Sequence, residues 1–323
     1  MLIISEDTAR GLVSVGDAIT EVERSFAAMA HGEARNFPVV REAVGVSDAV
    51  FGVKSGCDTG AGILGLKAGG YWPHNAASGV SNHQSSTLLF DPATGRASAL
   101  VSANYLTGVR TGASSAIASK HLARKDASVL GMIGTGGQSG YQLLATLQVR
   151  EITVVHAWDP VEENLARFGE TVRDLGLEFH AHTDRASVVQ AADIIVTVTP
   201  SQAALIDRSW VRAGTHISAM GADTKGKQEL DTALVAGAAL FYDELDQTRT
   251  IGEFQHAFGE GLIDIGDLRG SIGQVIAGMV PGRRSDEEIT IFDGTGVALQ
   301  DLVVAEKAVR LAAERGLGVE LDY

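Results

Sequence analysis

One cysteine, Cys57, is all that the 323-residue sequence contains, which excludes an internal disulfide and any zinc site built from cysteines. A small buried or half-buried thiol is its expected state, ahead of a catalytic nucleophile. Positive charge is also scarce. With 26 Lys and Arg against 40 Asp and Glu the formal net charge is -14, so no long-range field draws the chain to a phosphate backbone or an anionic membrane. Neither nucleic acid nor membrane is an expected partner. No apolar run reaches the roughly 20 residues that span a bilayer, and the start MLIISEDTAR has neither the basic cluster nor the apolar stretch of an export signal. The cytoplasm is the expected location. Solenoid repeats, low-complexity stretches and long linkers are missing too.

What is present is apolar and patterned. Hydrophobic residues make up 45% and charged residues 20%, enough for a large core and for more than one domain. From about Ala127 the runs ASVLGMIG, EITVVHAWD and ADIIVTVTP alternate with helical segments, one from about Gln138 to Gln148 and one from Pro160. That rhythm predicts parallel βαβ units, and GTHISAMG and AALFYDE extend the same sheet. Residues 36 to 105 read differently, as short strands split by DTGAG, HNAASG and DPATG turns, which predicts a mainly antiparallel sheet. Val15 to Ala30 is an amphipathic helix, and the helix beginning at Val297 is expected to return to the first domain. The expected fold class is α/β. A central Rossmann, doubly wound parallel sheet (119–296) binds the nucleotide, and a discontinuous, mainly antiparallel α+β domain (1–118) is completed by 297–323.

The segment LGMIGTGGQSG sets Gly134, Gly136 and Ser139 in a G-x-G-x-x-small pattern between a strand and a helix. Glycine there lets the backbone turn tightly and approach a pyrophosphate, whose charge meets free N–H groups at the helix N-terminus. Asp159 ends the next strand, where a carboxylate accepts both ribose hydroxyls and would repel a 2′-phosphate, so NAD is favoured over NADP. Thr199 and Pro200 end the following strand, as cofactor contacts or as a strand stop and turn.

Four cations interrupt stretches that otherwise read as buried or half-buried: Arg41 in PVVREAV, Lys54 in VFGVKSG, Lys67 in LGLKAGG and Arg110 in YLTGVRTGAS. Each alone reads as a snorkelling surface residue, but together they read as a receptor for carboxylate or phosphate. FGVKSG and LGLKAGG flank a turn centred near Gly60 and Ala61, so a symmetric hairpin would set Lys54 opposite Lys67. Like charges directly across a strand pair are destabilising and are best tolerated with an anion between them. Asp223, in SAMGADTKGKQELD, follows a strand end at the carboxyl edge of the nucleotide domain. It reads either as a carboxylate that stabilises an iminium ion and carries a proton, or as a cap before TKGK.

LTGVRTGASSAIASKHLARKDASVLGMIGTGGQSG, combined with GTHISAMGADTKGKQELD, resembles the ornithine cyclodeaminase and mu-crystallin family over almost the whole chain. The resemblance implies a substrate-binding and dimerisation domain around a Rossmann domain, and a homodimer. It places the substrate-carboxylate arginines on Arg41 and Arg110, the active-site lysine on Lys67 and the catalytic aspartate on Asp223. Its cofactor set is Arg110, Thr111, Gly134, Gly136, Gly137, Gln138, Ser139, Asp159, Thr199, Met220, Gly221, Asp223 and Gly294. Gln84, with Asn82 and His83, could reach the substrate amine or the nicotinamide. Two departures stand out: the family more often has alanine where Ser139 stands, and Lys54 occupies a neighbourhood where the cyclodeaminase carries methionine and glutamate. A lysine there repels ornithine and attracts a second carboxylate. The strings NFPVVREA, LKAGGYWPHN and SNHQSSTLLFDP are similar to the family branch that reduces iminosuccinate to L-aspartate with NADH. The expectation is therefore an NADH-dependent reductase of a small dicarboxylate imine that needs no metal. A monocarboxylate amino-acid dehydrogenase or ketimine reductase, a cyclodeaminase and a non-catalytic binder are the alternatives.

Overall fold

In the computed structural model, which describes residues 1–322, the chain divides into two compact units: Met1–Arg110 with the segment from Val297 onward, and Thr111–Gly296. The division falls inside the helix Asn104–Leu122, upstream of the 118/119 boundary read from the sequence. The helix runs on unbroken although Gly108 and Gly112 flank the crossing, so the sequence does not mark it as a boundary.

The first unit is an eight-stranded sheet. Its order is Val319–Glu320, Leu2–Ile4, Ala97–Ser102, His83–Phe90, Ile63–Tyr71, Val50–Asp58 and Ala34–Asn36, with Val40–Ala43 also paired to Val50–Asp58. All pairings are antiparallel except that of Leu2–Ile4 with Ala97–Ser102. Burial alternates along the strands. Ile63, Gly65, Lys67, Ser85, Thr87, Leu89, Ala99 and Val101 are buried, while Leu64, Leu66, Leu88, Phe90 and Leu100 between them are only half-buried. The helix Ala298–Arg315 covers the buried face. Gly65 lets it approach, because a Cβ there would lie 3.0 Å from Leu302 Cδ2. The helix Val15–Ala30 starts with a Ser14–Asp17 capping box and is tied to the C-terminal helix by Lys307, 3.0 Å from Asp17 and 3.5 Å from Glu21.

The second unit holds an eight-stranded, wholly parallel sheet in the order Glu178–Ala181, Val154–Trp158, Val129–Ile133, Ile194–Thr197, His216–Ala219, Thr290–Asp293, Ala239–Tyr242, Leu268–Ser271. The chain winds from Val129–Ile133 first to one edge and then, from Ile194–Thr197, toward the other, with Thr290–Asp293 inserted last between His216–Ala219 and Ala239–Tyr242. The order reverses beside Val129–Ile133, and open α/β sheets bind ligands at the carboxyl ends of strands there. Ile133, Ile195, Ile217 and Ile291 are fully buried in its core, as expected of strands covered on both faces. Among the described residues no helix is long and apolar enough to cross a membrane.

Candidate active site

In the first unit the ladder pairs Lys54 with Lys67 and continues to Asp58 and Ile63 without a bulge, as the symmetric hairpin predicts. Arg41 lies opposite Gly52 and Thr87 opposite Lys67, so alternation projects Arg41, Lys54, Lys67, His83 and Ser85 from one face. The counter-anion is Asp301 of the C-terminal helix. Lys67 Nζ lies 3.0 Å from its Oδ1 and 2.9 Å from its Oδ2, and Arg110 Nε donates to Oδ1 at 2.9 Å. Arg110 Nη1 donates to Gln300 Oε1 at 3.0 Å. Lys67 and Arg110 are each 7% exposed and Asp301 2%, so two buried cations divide one buried anion. That imbalance shapes the titration. Burial pushes Lys67 down to about 7; Asp301 opposes the shift while Arg110 and Lys54 add to it. Burial raises the Asp301 carboxyl, but Arg110 and Lys67 outweigh it and hold the group below its usual range. Net positive charge on a desolvated face suits a ligand that brings carboxylates.

His83 points into this set and Gln84 does not. The pleat turns Gln84 to the other side of the strand, where its Nε2 donates to Ser81 O at 2.8 Å and its Oε1 accepts from Asn104 Nδ2 at 3.3 Å. Gln84 therefore stands off the face that carries Lys54, Lys67 and His83. Burial, then Lys67 and Arg110, pushes His83 down to about 4, so near neutral pH it is an uncharged hydrogen-bonding group on the cationic face.

In the second unit, Gly134 has φ +92°, and a Cβ there would come within 2.6 Å of Thr199 Cγ2, so conformation and space both require glycine. At Gly136 and Gly137 a Cβ would meet nothing within 4 Å. Their N–H groups and that of Gln138 make no hydrogen bond among the described residues, and the helix Ser139–Thr146 begins directly after them. Unspent donors at a helix start, open on one side, fit a pyrophosphate. Asp159 is fixed beside them. Its Oδ2 accepts the Thr135 N–H at 2.6 Å and hydroxyl at 3.1 Å, its Oδ1 accepts the Val161 N–H at 2.8 Å, and lone pairs remain for ribose hydroxyls. The loop thus fits a dinucleotide.

Ser139 is buried, and its hydroxyl and N–H both go to Gly136 O, at 2.8 and 3.1 Å, which closes the turn. Thr199, Met220, Gly221, Asp223 and Gly294 follow the carboxyl ends of the strands Ile194–Thr197, His216–Ala219 and Thr290–Asp293. The Met220 thioether packs against Gly294, where a Cβ would lie 2.5 Å from Sδ. Asp223 Oδ1 lies 2.7 Å from Lys227 Nζ and 3.1 Å from Thr224 Oγ1. Thr111 opens this unit and is buried. Arg110, expected also on the cofactor, donates from Nε to Asp301 and from Nη1 to Gln300. No group of three or more His, Cys, Asp or Glu among the described residues could hold a metal ion.

Sequence reasoning missed Asp301 and Gln300. The signal lay in VALQDLVVAE, where a charge interrupts an apolar helix face as Lys54 and Lys67 interrupt apolar strands.

Known proteins resemble this chain along its length. The model of the Ornithine cyclodeaminase/mu-crystallin family matches residues 2–315. The iminosuccinate reductase of Paracoccus denitrificans (strain Pd 1222) is 50% identical over 323 residues, 100% of both chains. A crystal structure of the Paracoccus denitrificans iminosuccinate reductase in complex with NAD+ matches with a TM-score of 0.95 at 50% identity, covering 100% of this chain and 99% of that one. A dimeric archaeal alanine dehydrogenase with bound NAD matches with a TM-score of 0.95 at 36% identity and the same coverage.

Proposed function

The chain belongs to the ornithine cyclodeaminase/mu-crystallin family, and from that premise we propose that it is an NADH-dependent imine reductase that converts iminosuccinate to L-aspartate. It is an NAD-dependent oxidoreductase acting on carbon–nitrogen groups. One observation carries the choice of substrate: Lys54 stands directly opposite Lys67, on the sheet face from which Arg41 also projects. A cation in that place suits a second carboxylate and repels an ornithine side chain. The 50% identity to an iminosuccinate reductase supports the same reading.

Arg41, Lys54, Lys67 and Arg110 clamp the two carboxylates, each charge-assisted hydrogen bond contributing roughly 1.5–3 kcal/mol. Lys67, brought to about 7 by its surroundings, gives a proton to the imine nitrogen. The Asp223 carboxylate stabilises the resulting iminium. NADH, when bound, supplies the hydride that turns this carbon into the amine carbon of aspartate. The Gly136, Gly137 and Gln138 N–H groups would hold the pyrophosphate and Asp159 the ribose hydroxyls, with Gly134 making the turn that presents them.

The test is NADH oxidation with freshly generated iminosuccinate. Lys54→Ala should lower kcat/KM by about 10- to 150-fold, the equivalent of one charge-assisted bond. Pyruvate with ammonia should be a poor substrate that is indifferent to the substitution. Activity on iminosuccinate that ignores Lys54, or ammonia and proline released from ornithine, would sink the dicarboxylate assignment.

The half-buried face formed by Val53, Leu64, Leu66, Leu88, Phe90 and Leu100 is the proposed seat of a second copy, making the enzyme a homodimer. An apolar sheet face left without a helix is a partner surface in waiting, and the alanine dehydrogenase relative is a dimer. Sedimentation equilibrium should give twice the chain mass for the wild type and a shift toward monomer for Leu66→Glu. A wild type that sediments as monomer refutes the assignment.

A further inference from the structure

Glu229, on the short strand Gln228–Leu230, is fully buried and touches none of the residues assigned to substrate. Its carboxylate takes two hydrogen bonds on each oxygen. Oε1 accepts the Thr199 N–H and hydroxyl, both at 2.7 Å; Oε2 accepts the Thr197 hydroxyl at 2.7 Å and the Gly221 N–H at 2.9 Å. These donors belong to the carboxyl ends of two adjacent parallel strands, Ile194–Thr197 and His216–Ala219. The fit is close. A Cβ on Gly221 would lie 2.3 Å from Thr199 O and 2.5 Å from the Glu229 carboxylate, so the glycine makes room for both.

We propose that Glu229 is the positioning residue of the cofactor seat: an internal clasp that fixes Thr199 and Gly221 relative to each other from behind. The inference rests on the reading that those two residues contact NADH. The requirement is for both oxygens of the acid. The Thr199 N–H on one side and the Gly221 N–H on the other can only donate, so a glutamine amide would set its NH2 against a donor in either orientation. Burial raises the pKa of Glu229, while the hydrogen bonds from Thr197, Thr199 and Gly221 pull it back toward the ionised form. The neighbouring Glu253 has a different need. Its Oε1 accepts the Glu229 N–H at 2.9 Å and the Leu230 N–H at 2.6 Å, its Oε2 takes only a longer share of the same Glu229 N–H at 3.1 Å, and burial together with Glu229 pushes its carboxyl well up. A glutamine can take over that task.

The experiment is a fluorescence titration of NADH into the full-length protein, with steady-state KM values for NADH and for the imine and a thermal unfolding curve for each variant. Glu229→Gln should raise the Kd and KM for NADH at least tenfold (about 1.4 kcal/mol), leave the imine KM within about twofold, and melt as one folded species. Glu253→Gln should bind NADH like the wild type. Thr197→Val removes one donor from the hidden side of the clasp and should weaken NADH about threefold without moving the imine KM, which tests the clasp even if Glu229→Gln does not fold. NADH binding unchanged in Glu229→Gln overturns the proposal. So does a loss shared equally by Glu253→Gln in step with lower melting temperature. Should Gly134→Val bind NADH as well as the wild type, the cofactor reading fails instead, whatever Glu229 does.

Discussion

Replacing Asp301 with alanine is expected to lower the free energy of unfolding by about 3–5 kcal/mol, the usual cost of removing one partner from a buried ion pair. With their shared anion gone, Arg110 would be left a buried cation, and Lys67, whose ammonium Asp301 supports, would be driven to give up its proton. In the unfolded chain both are solvated, so the whole penalty falls on the native state. Asp301→Asn keeps the shape but not the charge and should lose most of the same stability. Urea unfolding of the wild type and both variants measures the difference. A loss below about 1 kcal/mol in either would mean that the cluster is wetter, or its charges better shared, than the contacts describe.

Lys67→Met is the converse case, with activity lost and folding kept. Without Lys67, Asp301 still accepts from Arg110 Nε at 2.9 Å, so the buried charges balance one to one. The midpoint of unfolding should therefore stay close to that of the wild type. Turnover should not. Removing a general acid costs about 10²–10⁴ in rate, and the clamp loses a charge-assisted bond as well. The pH profile identifies the group. Lys67 in the free enzyme titrates at about 7, so wild-type kcat/KM should fall as pH rises through that value, because the ammonium is the working form. A bound dianion favours the ammonium, which moves the limb in kcat to higher pH. Lys67→Met should lack the limb. A wild-type kcat/KM flat from about pH 6 to 9 would take proton transfer away from Lys67.

The sequence by itself determined whatever short-range geometry dictates. Alternation over strand lengths and helical spacing over Val15–Ala30 are written in neighbouring residues, and so is the strand–glycine–helix turn at Gly134. The Lys54–Lys67 register followed from a short turn between two similar strings, because a tight turn leaves few ways to pair the strands that flank it. Even the pleat was legible in principle: His83 and Gln84 differ by one residue and so by one face.

Only the tertiary structure decided what faces those elements. Asp301 meets Lys67 across 234 residues of chain, and nothing near either residue states the pairing; it depends on a helix docking over Gly65 closely enough for its acid to reach the strand. Glu229 reads locally as one more charge in KGKQELD, and becomes a clasp only where two parallel strands end side by side. Ser139 reads only as the small residue of the loop pattern, and the fold shows its hydroxyl turned back to Gly136. Local backbone preferences act within a few residues, whereas a buried charge is stable only against partners that packing brings from elsewhere, so the partners of the cationic face had to come from the fold.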